Sequence, residues 1–132
     1  MVLFNYRIDH SKINGLGVFT NEKIKKGKVV FKASPVLDIE LTKEQFESLE
    51  DAEKKEFIHY GYLDKKTNTY KLDFDTALRF LNFSEDGNIY QDKNHNETYL
   101  IAKRDIEIDE EITFNYLEVM DDAWFDTGFK NN

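Results

Sequence analysis

The chain has 132 residues, 40% hydrophobic and 33% charged, with a net charge of −8; that balance fits a water-soluble globular protein. Its lack of cysteine excludes disulfides, thiolate metal sites and a thiol nucleophile. The acidic excess argues against nucleic acid as a direct ligand and favours a basic protein or peptide partner.

A single domain spanning residues 1–132 is the expectation from length. No run approaches the roughly 20 apolar residues of a membrane span, so no membrane partner is expected. The opening MVLFNYRIDHSK lacks the basic start and apolar stretch of a secretion signal. An intracellular, cytoplasmic location follows as an expectation, with a nuclear or chromatin-associated one as the alternative.

In chain order, residues 6–31 read as short strands around turns. Gly15 and Gly17 flank one corner, and Lys26-Gly27-Lys28 marks another before the apolar run Val29-Val30-Phe31. Residues 42–56 predict a helix, an insertion on a β core. Thr42 and Gln45 form a capping-box pattern, and Phe46, Leu49 and Ala52 make a narrow apolar stripe. From Phe57 the period changes to two. Ile58, Tyr60 and Tyr62 alternate, the polar stretch 64–69 turns, and Tyr70, Leu72 and Phe74 alternate again, a hairpin pattern. Residues 76–81 predict one helical turn into Asn82. A loop with Gly87, a strand near 98–102 and a second over 112–116 follow. The tail, about residues 118–132, is polar from Asp121 onward apart from aromatics at Trp124, Phe125 and Phe129. No internal repeat or low-complexity tract is evident. The prediction is a mostly β fold with one short helical insertion.

Three segments stand out in fixed order: Gly15-Leu16-Gly17-Val18-Phe19; Arg79-Phe80-Leu81-Asn82-Phe83-Ser84 with Asn88 beyond it; and Glu110-Glu111-Ile112-Thr113-Phe114-Asn115-Tyr116. A Gly-x-Gly alone is a common tight turn. The ordered set, with Ala102–Ile106 and the run from Ile24 to Val30, resembles the SET domain of protein lysine methyltransferases from about residue 4 to residue 117.

The resemblance implies a β-clip fold of small curved sheets with a knot-like threading near the C-terminus. It implies S-adenosylmethionine as methyl donor, S-adenosylhomocysteine as product, and a lysine in a basic protein or peptide as acceptor, the two meeting in a narrow channel. Tyr116 matches the catalytic tyrosine; outside the motif it would read as a phenol capping a core strand. Phe114 matches a position that tunes product state, and its missing hydroxyl implies capacity for di- or trimethylation; a plain core aromatic is the other reading. Asn82 matches the asparagine that contacts the cofactor's amino acid moiety, with the backbone near Phe83 reading the adenine. Gly15, Leu16 and Gly17 match the turn that approaches the cofactor. Tyr60, Tyr62 and Tyr70 lie where relatives place channel-lining tyrosines, and the sequence does not say which points inward.

The chain departs from the family pattern in three places. Phe83 replaces a histidine, which puts cofactor affinity in question. Gly87 replaces a proline before Asn88, loosening that loop on a sequence reading. The zinc-binding cysteine cluster that follows the core in many relatives is missing, so no metal is expected. Trp124, Phe125 and Phe129 either close over the cofactor in its place or anchor the C-terminus. His10, His59 and His95 show no metal spacing. Glu110 and Glu111 are read as supporting the turn and the motif, without acid–base chemistry. A catalytically inactive, peptide-binding form of the fold is the alternative function.

Overall fold

A computed structural model describes residues 1–92 and 99–124. His95, Phe125 and Phe129, and position 98 of the strand expected near 98–102, lie outside the described residues. The chain divides into two compact units, residues 1–33 with 75–115, and residues 34–74 with 116–132. Strand residues outnumber helical ones, as the sequence predicts.

The first unit holds strands β1 (Tyr6–His10), β2 (Leu16–Thr20), β3 (Val29–Lys32), β7 (Asn82–Phe83), β8 (Ile89–Gln91), β9 (Tyr99–Ala102) and β10 (Glu111–Phe114). They form a seven-stranded sheet in the order β1-β2-β10-β8-β9-β3, with β7 paired to β10 off that path. β10 is antiparallel to β2, with Ile112 opposite Val18, and parallel to β7 and β8. Being paired on both edges, it reads as an apolar-polar alternation in which Ile112 and Phe114 are buried. The outer edge of β3 is covered by the chain's first residues: Leu3 N donates to Val30 O and Lys32 N to Met1 O. Such cover removes an open ladder edge.

A structural repeat that the sequence hides lies within this unit. Ile24 and Ile106 exchange backbone hydrogen bonds at 2.9 and 2.8 Å, and both are fully buried. Around them three further backbone bonds in one copy have counterparts in the other. Gly27 N donates to Ala102 O while Asp109 N donates to Thr20 O; Lys28 N donates to Lys25 O while Glu110 N donates to Glu107 O; Ala102 N donates to Lys28 O while Thr20 N donates to Glu110 O. Gly27 at φ 88° and Asp109 at φ 69° take the same left-handed turn. Sequence comparison misses the pair because the charges are reversed. Lys25 and Lys28 in one copy correspond to Glu107 and Glu110 in the other, and Lys26 corresponds to Ile108.

The second unit holds β4 (Ile39–Leu41), β5 (Tyr62–Leu63) and β6 (Tyr70–Leu72) as an antiparallel sheet in the order β4-β6-β5. It also holds helices α1 (Lys43–Glu47) and α2 (Asp51–Tyr60). The predicted single helix over 42–56 is therefore two. The capping box forms, with Gln45 N on Thr42 Oγ1 at 3.1 Å and Thr42 N on Gln45 Oε1 at 2.8 Å. The first helix stops at Ser48, whose hydroxyl donates to Gln45 O, and Glu50 starts a second with its own N–H held by Glu53. The predicted strand from Phe57 begins only at Tyr62, because α2 runs on to Tyr60. Phe57 is buried while Ile58 is exposed, so the apparent alternation was not one of burial. Likewise Phe46 is buried but Ala52 exposed. The apolar contact is made by Phe46 and Phe57, edge to face at 5.8 Å, one from each helix.

Helix α3 (Thr76–Arg79) belongs to the first unit and is capped by Asp75, whose side chain accepts from Ala77 N. A 3-10 turn, Tyr116–Glu118, opens the second segment of unit two. Among the described residues no helix is long and apolar enough to cross a membrane.

Candidate functional site

The first unit gathers a polar node around Asn82. The β1–β2 hairpin, registered from Tyr6 opposite Thr20 to His10 opposite Leu16, closes through Ser11. Its hydroxyl accepts from Ile13 N and Asn14 N and donates to the Glu111 carboxylate at 2.8 Å. Gly15 sits at φ 47°, and a side chain there would meet nothing within 4 Å. Its requirement is backbone conformation. Gly17 is needed for the other reason, space. A Cβ there would fall 2.1 Å from Glu111 Oε1 and 3.1 Å from Asn82 Nδ2.

Asn82 Nδ2 donates to Asn14 O at 3.2 Å, Leu16 O at 3.0 Å and Glu111 Oε1 at 2.7 Å. Three oxygens around one atom fix the amide's orientation, since turning it over would set Oδ1 against all three. Both N–H groups are thereby consumed. Oδ1 is left as the acceptor, and no donor among the described residues takes it. An acceptor beside a carboxylate and a glycine-lined turn suits an ammonium group.

Asn88 performs a different task. Its Nδ2 donates to Glu111 O at 2.7 Å and its Oδ1 accepts from Thr113 N at 2.9 Å. Almost fully buried at 3% exposure, it substitutes for a peptide unit and clamps the middle of β10. Gly87 beside it is tightly packed, because a Cβ would lie 2.7 Å from Thr113 O and 2.8 Å from Phe114 Cα. The sequence reading of a loosened loop is corrected: the glycine serves close backbone approach. Phe114 is buried and lies opposite Phe83 and Ile89 in the parallel pairs. β10 ends at Phe114, and Tyr116 opens the 3-10 turn. The alternation that would set Phe114 and Tyr116 on one side of a single strand therefore does not extend to Tyr116.

The second unit carries an aromatic cluster. Tyr70 stacks on Phe46 at 3.9 Å with planes 3° apart, and Trp124 meets both edge-on, at 5.5 Å and 6.1 Å. The indole N–H donates to Gly61 O at 3.3 Å. Gly61 has no room for a side chain, since a Cβ would lie 2.7 Å from Lys71 O. Tyr60 closes α2, with its ring edge-on to His59 at 4.4 Å. Tyr62, in β5 opposite Lys71, has its hydroxyl pushed well above the usual phenol range. Loss of water is the main cause, and the carboxylates of Asp73, Asp64, Asp38 and Glu40 add to it. Burial, then Glu47 and Asp121, raise Tyr70 as well. Both are therefore neutral phenols at ordinary pH. Burial would raise Asp64, but hydrogen bonds from Thr67 N, the Lys71 ammonium and Lys66 N hold it below the usual carboxylate range.

Of the residues singled out from sequence, Gly15, Leu16, Gly17 and Asn82 come together in the first unit, while Phe83 and Phe114 pair in the same sheet. Tyr70 and Trp124 come together in the second, where Tyr60 closes α2 and Tyr62 lies in β5. Sequence reasoning gave no role to Ser11 or Asn88, and it gave Phe46 only a place on a helical stripe. A small residue at 17 and an acidic one at 111 were visible signals, but only the pairing of β2 with β10 makes them partners. Among the described residues no cluster of His, Asp or Glu suits a metal ion.

A family model described as SET domain matches residues 15–117. Among solved structures, a candidate histone methyltransferase of Plasmodium falciparum is similar at 22% identity and a TM-score of 0.58, over 87% of this chain and 95% of that one. The apo form of ctPRC2 with substitutions in Ezh2 is similar at 19% identity and a TM-score of 0.68. There 90% of this chain aligns with only 16% of the other. At these identities the likenesses establish the fold. No curated protein matches the sequence.

Proposed function

The chain belongs to the SET-domain family, and from that premise we propose that it is a protein lysine N-methyltransferase using S-adenosylmethionine. The observation that carries this reading is the oriented Asn82 amide, its N–H groups spent on Asn14 O, Leu16 O and Glu111. The remaining Oδ1 fits the ammonium of the donor's amino acid moiety, and Gly17 leaves no side chain in the way. Bound S-adenosylmethionine would supply a methyl group carried on a sulfonium.

The chain's own residues have three tasks. The acceptor lysine must be neutral, which costs about 4 kcal/mol near pH 7.4 from its reference pKa of about 10.4. Aromatic surroundings reduce that cost by disfavouring the ammonium. The Tyr116 phenol orients the amine, a positioning task rather than nucleophilic attack. Phe114 brings no hydroxyl, which leaves space for a second and third methyl group. The excess of acidic residues favours a basic protein or peptide as the acceptor.

Calorimetric titration with S-adenosylmethionine and S-adenosylhomocysteine, followed by incubation of the radiolabelled donor with a histone mixture or lysate, tests the proposal. Heat of binding and label on a lysine are expected. Neither heat nor label would overturn it and support a second reading, a peptide-binding module without activity. That reading is motivated by Phe83, which stands where the family pattern has a histidine.

A further inference from the structure

We infer that Glu111 is a positioning residue for the cofactor's ammonium, acting through Asn82; this rests on the reading of Asn82 given above. Glu111, Asn82, Ser11 and the glycine turn all lie in the first unit. Glu111 makes the shortest of the three contacts to Asn82 Nδ2, 2.7 Å against 3.0 and 3.2 Å. It is also the only charged one of the three, and hydrogen bonds to an ionised acceptor are roughly twice as strong as neutral ones. The carboxylate is held in turn by the Ser11 hydroxyl, at 2.8 and 2.9 Å to its two oxygens. That hydroxyl is fixed by Ile13 N and Asn14 N in the glycine turn.

Gly17 makes the arrangement possible, since any Cβ would occupy the space of Glu111 Oε1. Turn, carboxylate and amide therefore form one relay. The hairpin holds Glu111, Glu111 holds the N–H side of Asn82, and the acceptor side is presented outward. The negative charge behind the amide also polarises it, strengthening Oδ1 as an acceptor. No proton transfer is assigned to Glu111.

The test uses two probes of the same site. S-adenosylhomocysteine carries the amino acid moiety, and 5′-methylthioadenosine lacks it. Glu111→Ala is expected to weaken S-adenosylhomocysteine about tenfold while leaving methylthioadenosine binding and the circular-dichroism melting profile near those of the parent. Glu111→Gln retains a neutral acceptor for Asn82 and, with the charge-assisted share gone, should recover only part of the loss. Gly17→Ala, which evicts the carboxylate from the other side, should reproduce it. In an Asn82→Ala background, Glu111→Ala should cost nothing further, because the two act in series.

Equal weakening of both probes would reduce Glu111 to a structural residue, and unchanged S-adenosylhomocysteine affinity would remove it from recognition. Either overturns the inference while leaving the methyltransferase reading intact. Failure of the parent chain to bind S-adenosylhomocysteine at all would be a separate result, overturning both.

Discussion

The side chains of Asn82 and Trp124 are each held by three neighbours, but of different kinds. Asn82 faces two main-chain carbonyls and a carboxylate. Trp124 faces two aromatic rings and one carbonyl. The first arrangement fixes direction, because hydrogen bonds have one good geometry. The second fixes position through packed area, which tolerates rotation and exchange of one ring for another. A recognition group needs the former and an anchor only the latter. The first unit's node has the geometry that directional recognition needs, and the second unit's cluster has the geometry that suffices for anchorage.

The strongest way to break this division is at the residue where the second unit's closing segment begins. Tyr116→Phe is expected to lower methyl transfer by about 10²- to 10³-fold, the usual loss when one oriented hydroxyl is removed from a reacting centre. Cofactor affinity by calorimetry should stay within about twofold, as Asn82 and its partners are untouched. Unchanged turnover would strip Tyr116 of its role. Trp124→Ala comes next, with an expected loss of about 2–3 kcal/mol for a half-buried indole and a melting temperature lower by roughly 5–10 °C. Cofactor affinity should hold. A marked drop in affinity would instead make Trp124 a lid over the ligand and erase the contrast.

The same contrast explains what was legible in the sequence. The node was visible because Gly15, Leu16, Gly17 and Asn82 stand in the order that the resembled family shows; a Gly-x-Gly alone is a common tight turn. Of its second half, Glu111 was read only as support for the turn and the motif and Ser11 was not read at all, because neither shows its partner until β2 is laid beside β10. The aromatic cluster was legible only as scattered rings. Phe46, Tyr70 and Trp124 come from a helix, a strand and the tail, and no local period joins them. The misread strand at Ile58 and Tyr60 has the same origin: aromatic and β-branched residues favour strands locally, and the helix begun at Glu50 overrode that preference. The hidden repeat around Ile24 and Ile106 shows the converse, a backbone pattern kept while its charges were inverted.

Acid sharpens the comparison further. Asp64 titrates below its unfolded value, so its contribution is present above about pH 4, the unfolded carboxylate pKa, and is lost as pH falls through the lower folded value. The parent chain should therefore lose stability on acidification below pH 4. Asp64→Asn should remove that part of the dependence and cost about 1–3 kcal/mol at neutral pH, since the Lys71 ammonium loses its partner. Denaturant titrations at pH 7 and pH 3 measure both. An unchanged acid profile in the variant would show that other carboxylates carry the dependence.

The smallest effects come from the two left-handed turns of the repeat, and they isolate backbone from side chain. Gly27 has open space where a Cβ would go, so Gly27→Ala should cost about 1 kcal/mol through conformation alone. Asp109 already pays such a cost at φ 69°, and its side chain returns part of it by pairing with Arg7 at 2.8 Å. That pair is largely exposed and contributes about 0–1 kcal/mol. Asp109→Gly relieves the strain and loses the pair, so its net change should stay within about 0.5 kcal/mol in denaturant titration. A loss as large as that of Gly27→Ala would mean that the Arg7 pair, rather than the turn, holds the acidic copy of the repeat in place.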